Sequence, residues 1–230
     1  MSATASELLQ DRAIDHAHDL HRFSVGVVQR MIAVLNRSDA HLSAQLTEAL
    51  MQLDRQSFTV ARLESLLDSV RRVNAQAYAA VMDALRPEIK GLAGVEATGQ
   101  VAGFKAALPS VVQIQFPIAG ISAEQVYAAA LSRPFQGRLL KDWGANLEAS
   151  RMTLIRNAVR AGYVEGQTTA EIIQKIRGTR ALKYADGLLS RPRHEVAAVV
   201  QTALSHTAQT ARQVMTDANA DLVKATQWVS

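Results

Sequence analysis

The sequence predicts an all-α protein, an elongated multi-helix bundle with one short extended segment near 110–116 and a strand start at 226–230. Three observations carry that expectation. Apolar residues recur at three- and four-residue steps over most of the 230 residues, the spacing of one helical face. Aromatic residues make up only 5% and alanine is abundant, which suits helices packed through small side chains. Two capping boxes, Ser122-x-x-Gln125 and Thr168-x-x-Glu171, mark helix starts, because serine or threonine closes forward on a free amide while glutamine or glutamate closes back.

Residues 6–36 read as a first helix through Leu9, Ala13, Ala17, Leu20, Val27, Met31 and Val34 or Leu35. Gly26 inside it costs about 1 kcal/mol against alanine, a blemish rather than a break. Asn36-Arg37-Ser38-Asp39 supplies cap and turn residues, so a second helix is expected over 40–53. Thr59 is the expected N-cap of a third, whose face is held by Val60, Leu63, Val70, Val73, Ala77, Val81 and Leu85. Arg86-Pro87 should end or kink it, since a residue before proline is pushed out of the helical region.

From Gly91 to Gly120 the pattern weakens. Gly91, Gly94, Gly99 and Gly103 fall close together, and Pro109 and Pro117 bracket Val111-Val112-Gln113-Ile114-Gln115-Phe116. Its β-branched content makes this hexad the best strand candidate, with an extended connector as the plainer reading. The expected organisation is an N-terminal helical bundle over 1–106, a connector over 107–121 and a second module over 122–230. In that module, helices are expected from Ser122 to Leu131, stopped by Arg133-Pro134, from Gly137 to Ala161, and from Thr168 to a stop at Gly178. A terminal helix opens near Arg191-Pro192 and runs to Asn219.

The net charge is +4. Residues 151–230 hold 11 Lys+Arg against 6 Asp+Glu, whereas residues 1–90 hold 10 against 11. An acidic partner or nucleic acid is therefore sought first in the C-terminal third. Arg156, Arg160, Lys175, Arg177, Arg180, Lys183, Arg191 and Arg193 are the candidate DNA-phosphate contacts, able to track a backbone without reading sequence. The absence of cysteine excludes a disulfide framework and Cys-ligated metal. No apolar run reaches the roughly 18–20 residues of a membrane span, and Met1–Ser6 lacks the basic start of a secretory signal. A soluble protein made in the cytoplasm is the expectation.

Chemistry is sparse. His16, His18 and His21 lie at about 0°, 200° and 140° around a helix, so only the last two share a face, and solvated positions fit them better than a metal site. Gly-x-Ser-x-Gly, P-loop and dinucleotide patterns are missing. No catalytic residue, metal site or cofactor is expected. Residues 166–176 resemble the first helix of a helix-turn-helix, but Gly178–Tyr184 offers no clear recognition face. The terminal helix sets Gln201, Thr202, Ser205, His206, Gln209, Thr210 and Gln213 opposite its apolar stripe, with Arg212 the one charge between Glu195 and Asp217. Such a helix is expected to be covered on more than one side, by this chain or by a partner.

The run from Phe135 to Ser230 resembles the phage head morphogenesis family, the minor head proteins similar to protein F of phage Mu. The matching pieces are Arg160-Ala161-Gly162 closing a long helix, Gly166, Thr168 and Glu171-Ile172, and Ile176-x-Gly178. Arg193, Thr202, Arg212, Asn219 and Gln227-Trp228-Val229-Ser230 follow in order. The resemblance implies a structural minor head (capsid) protein of a tailed bacteriophage, not an enzyme, associated with the portal and acting in head assembly and DNA packaging or delivery. Its expected place is the virion head interior near the portal. Sister copies, scaffold or major capsid protein, and packaged DNA bound without sequence specificity, are the further partners implied. Family members continue past the tryptophan strand with Asp, Arg, Cys and Gly residues, so the module reads as cut at Ser230, and Trp228 as one of its core residues. Two alternatives stand beside this reading: a nonspecific DNA-binding protein carried with the genome, and the carrier domain of a C-terminal toxin enzyme.

Overall fold

The computed structural model describes residues 5–52 and 59–223. Among these the chain forms eight helices and no strand: α1 (Ala5–Met51), α2 (Val60–Leu66), α3 (Asp68–Ala107), α4 (Ser110–Gln115), α5 (Ala123–Ser132), α6 (Leu140–Val164), α7 (Thr169–Arg177) and α8 (Ser190–Ala218). The all-α expectation holds. The strand start at 226–230, with Gln227 and Trp228, lies outside the described residues.

Three sequence breaks do not break the helices. Asn36–Asp39 continues inside α1, because Asp39 is turned inward, only 7% exposed, and forms a buried ion pair with Arg151. Arg86-Pro87 lies inside α3. Both residues are exposed, as is Asp83 one turn earlier, so the carbonyl that proline leaves without its helical donor faces water. The glycines at 91, 94, 99 and 103 also stay within α3.

The hexad Val111–Phe116, helical in all but its last residue, is the clearest correction. It forms α4 rather than an extended segment. A strand needs a neighbouring strand to take its backbone groups, and none is offered among the described residues, so helical bonds satisfy them internally. Gln113 strengthens the turn by donating from Nε2 to the carbonyls of Lys105 and Leu108, both at 2.7 Å. The cap predictions fare better. Thr59 accepts from the Arg62 amide at 3.1 Å, and both capping boxes close as read.

The chain forms two compact units, and they are interleaved rather than sequential. One comprises Met1–Val27, Arg86–Leu140 and Val200–Ser230; the other comprises Val28–Leu85 and Lys141–Val199. The boundaries fall inside α1, α3 and α8 and at the first residue of α6, and none falls in the expected connector at 107–121.

The second unit packs a large aliphatic core. Leu42, Leu46 and Leu50 of α1 meet Leu63 and Val70, and Met152, Ile155 and Val159 of α6 join Ile172 and Ile176 of α7. Gly162 makes the α6–α7 approach possible. A Cβ there lies 2.5 Å from Ile172 Cγ1, near the root of a buried side chain.

The first unit uses smaller groups: Ala93 and Ala97 of α3, Val126 of α5 and Ala211 of α8. Asn219 locks its C-terminal turn. Its Oδ1 accepts from the Ala119 amide at 2.8 Å, while its Nδ2 donates to the Ala119 and Met215 carbonyls at 3.1 and 2.9 Å.

Gly162→Ala is expected to lower stability by about 1–3 kcal/mol, because overpacking against Ile172 outweighs the better helix propensity of alanine. Urea unfolding of the variant checks this; an unchanged or raised midpoint contradicts it.

Candidate functional site

The C-terminal third concentrates both the predicted basic residues and most of the motif positions. In the second unit they fall into two groups: those that hold the fold and those that reach solvent.

Arg151 and Arg193 share one carboxylate. Arg151 on α6 donates to Asp39 Oδ1, and Arg193 Nη2 on α8 donates to Asp39 Oδ2 at 2.7 Å. Arg151 is 1% exposed, so three helices are tied by a buried charge cluster. Its position was legible in part. Leu35, Asp39, Leu42 and Leu46 share one face of α1, and Leu147, Arg151, Ile155 and Val159 share one face of α6. A charge embedded in an apolar stripe on each of two helices is the signature of a buried pair. Sequence reading instead took Asp39 for a turn residue and Arg193 for a phosphate contact.

Tyr78 lies in the same cluster, with the Arg151 guanidinium 5.9 Å from its ring centroid. Its hydroxyl is buried without a hydrogen-bond partner. Burial pushes the phenol up to about 12; the Arg151 cation lowers it, and the Glu195, Asp39 and Glu148 carboxylates raise it. Asn74, also buried, donates from Nδ2 to the Glu148 carbonyl at 3.0 Å.

Four more of the proposed phosphate contacts are engaged. Arg156 Nε lies 2.7 Å from Glu64, Lys175 Nζ 3.6 Å from Glu165, and Arg191 Nε donates to Glu195 at 3.0 Å. Arg177 stacks on Tyr184, 4.6 Å from its centroid. Arg160, Arg180 and Lys183 remain exposed and carry no ion pair among the described residues. The structure therefore does not gather the eight cations into one patch.

Where a recognition helix would follow α7, residues 180–186 form turns. Gly178 (φ 89°) ends α7, and a Cβ there or at Gly187 would strike backbone at 2.6 Å or less. The Leu188 and Leu189 amides return to the Lys175 and Ile176 carbonyls at 3.1 and 3.0 Å, satisfying groups a helix end leaves open. Lys183 and Tyr184 adopt left-handed backbone (φ 51° and 62°). That conformation is held by the Tyr184 amide on the Thr179 carbonyl at 2.8 Å and by Arg193 on the Tyr184 carbonyl at 3.4 Å. The Thr179 amide donates to Asp186 Oδ1 at 2.8 Å and holds that carboxyl below the usual aspartate range.

Gly166, Thr168, Glu171 and Asn219 are structural as well. Gly166 (φ 76°) closes α6, and Thr168 and Glu171 cap α7. In the first unit Asn219 makes the lock described above, Thr202 is half-buried and Arg212 is exposed on α8.

The chain matches no protein-family model, no curated protein and no solved structure. What can be said of its function rests on these residues themselves.

The three histidines separate. His16 Nε2 donates to Glu96 Oε1 at 2.7 Å, and the Glu96 side chain is 1% exposed, while His18 and His21 are exposed. Sequence reading missed Glu96, although Ile89, Ala93, Glu96 and Ala97 fall on the buried face of α3.

Asp39→Ala leaves the buried Arg151 guanidinium unpaired and is expected to cost about 3–5 kcal/mol. Adding Arg151→Met should recover much of it, and a double variant no more stable than the single one overturns the assignment. Because burial keeps the Tyr78 phenol protonated in the folded state, the fold loses stability as pH rises from the ordinary 10.0 toward about 12, where only the unfolded chain gives up the proton freely. Tyr78→Phe should therefore match or exceed the parent at about pH 8 and exceed it by up to roughly 2–3 kcal/mol near pH 12. Equal alkaline losses in the two proteins would remove Tyr78 from the account.

Proposed function

We propose that this chain is a structural head protein of a tailed bacteriophage that works by binding other head proteins, foremost the portal. The observation that carries the reading is the use made of the motif residues. Gly166, Thr168, Glu171, Gly178, Arg193 and Asn219 all serve helix ends, a loop or a buried anchor. The resemblance thus follows positions that specify a fold, as it should if this stretch adopts the family's helical module.

Two exposed surfaces of the first unit suit association. On α8 the apolar stripe is buried through Val200, Leu204, Ala208, Ala211 and Met215, and Thr207 and Thr210 are buried beside it. Gln201, Ser205, Gln209, Arg212 and Gln213 stay exposed. On α4, Val111 and Ile114 are 75% and 82% exposed. A nearly neutral hydrogen-bonding stripe and an open apolar turn are cheap to desolvate compared with a charged face.

A second reading, a protein that binds DNA without sequence specificity, is favoured by one observation. Arg180 and Lys183 project from a loop whose backbone is fixed at both ends. Of the eight candidate cations only these two and Arg160 are exposed and without an ion pair among the described residues, so this reading predicts a weak, salt-sensitive interaction of about three phosphates.

Purified portal is expected to retain the chain at physiological salt, and Ile114→Asp or Gln209→Lys to weaken retention at least tenfold with stability changed by less than about 0.5 kcal/mol. Failure of portal to retain the parent chain sinks the proposal. For the DNA reading, the log–log slope of affinity on salt should fall by about 2 when Arg180 and Lys183 are both changed to Gln. A flat salt response in the parent removes it.

A further inference from the structure

The first unit contains a cavity of about 200 Å³ whose floor is made by glycine. Gly99 and Gly103 stand one turn apart on α3, and a Cβ added to either meets nothing within 4 Å. Gly94, by contrast, faces Ala123 Cβ at 3.7 Å and has a packing reason. Each helical glycine costs about 1 kcal/mol against alanine. At 99 and 103, as at Gly91, no contact among the described residues calls for glycine; at 99 and 103 the missing side chains leave the cavity wider.

The walls of the space differ in character. Leu9 of α1 with Val95 and Phe104 of α3 supply apolar surface, whereas Arg12 of α1 and Arg212 of α8 bring two guanidinium groups. Neither arginine has an ion pair among the described residues. The buried Glu96 carboxylate also borders the cavity, but it is engaged by His16 at 2.7 Å. Two unpaired cations therefore face one carboxylate that already has a partner.

We propose that this cavity binds an organic carboxylate bearing a compact apolar group, the carboxylate taken by Arg12 and Arg212 and the apolar part lying over Gly99 and Gly103. Guanidinium groups favour carboxylates through paired N–H donors in a fixed fork. The volume suits the apolar part: an apolar protein cavity of about 150 Å³ holds benzene, so a ligand of benzoate size fits. A free acid and the C-terminal residue of a peptide present the same chemistry.

The test is isothermal titration of the full chain with benzoate, with benzyl alcohol and acetate as the uncharged and tail-less controls. Saturable benzoate binding is expected at roughly 10 µM to 1 mM, the range open to so small a ligand, with both controls at least tenfold weaker. Arg12→Gln and Arg212→Gln should each weaken benzoate at least fivefold. Both residues are exposed, so melting should not change. Gly103→Leu should abolish binding without lowering the melting temperature, because it fills the space and removes a helical glycine. A peptide ending in a free Phe carboxylate, set against its amidated form, distinguishes the sources. Tighter binding of the free-acid peptide than of benzoate assigns the site to a chain terminus, and the reverse order to a free acid. No saturable benzoate binding, acetate as tight as benzoate, or affinity indifferent to both arginine variants and to Gly103→Leu overturns the proposal. None of these readouts involves the portal, so the site and the proposed head function stand or fall separately.

Discussion

The second unit depends on one buried carboxylate. Asp39 has two oxygens and two guanidinium partners, one on α6 and one on α8. Removing Asp39 leaves an arginine that is 1% exposed with no compensating charge, a far worse state than losing a surface pair. The pairing also has a geometric consequence. Apolar side chains in a helical core can slide by a rotamer or a turn and still be buried, whereas moving α1, α6 or α8 past one another breaks a bond from the Asp39 carboxylate to a guanidinium. Around it, the aliphatic cluster from Leu42 to Ile176 supplies most of the burial, and the charge cluster selects which packing that burial takes.

Much of this unit was legible in the residues. The stripes of α1, α3, α6 and α8 gave their buried faces, and Thr59, Ser122, Thr168 and Gly178 gave caps that hold. The errors share a cause. Asn36–Asp39, Arg86-Pro87 and the glycines of 91–103 were read by local preference, yet all lie inside helices; at Asp39 long-range packing overrode that preference. Asp39 is drawn in by arginines 112 and 154 residues away, which no window of neighbouring residues contains. Residues 110–116 failed for a related reason: β-branched content describes a side chain's fit to a sheet, and this chain provides no sheet among its described residues to fit. For the candidate sites the shortfall was larger. Eight cations close in sequence looked like one basic surface, yet their carboxylate partners, Asp39, Glu64, Glu165 and Glu195, come from α1, α2, the end of α6 and α8.

The glycines show how one residue type serves opposite ends. Gly162 and Gly178 are required because another atom already occupies the place of a side chain. A Cβ added at Gly99 or Gly103 would meet nothing within 4 Å. The first kind protects an internal contact and reports on the fold. The second kind leaves a concave surface open in the first unit, lined by Arg12 and Arg212, which have no ion pair among the described residues. A composition count cannot separate the two kinds, since all four sit in or beside helices with similar neighbours.

The same distinction bears on what a resemblance can carry. Motif residues that cap helices, close loops or bury charge are held in place by the fold, so they follow ancestry of structure more closely than they follow chemistry. Residues that meet a partner are under no such internal constraint. Here the exposed stripe of α8, the open turn of α4 and the rim of the glycine cavity all lie in the first unit, and of the motif only Arg212 falls on any of them. A related chain could keep every anchor from Gly166 to Asn219 and still bind something else. The associations proposed for this chain therefore rest on Ile114, Gln209, Arg12 and Arg212, and of these only Arg212 belongs to the motif.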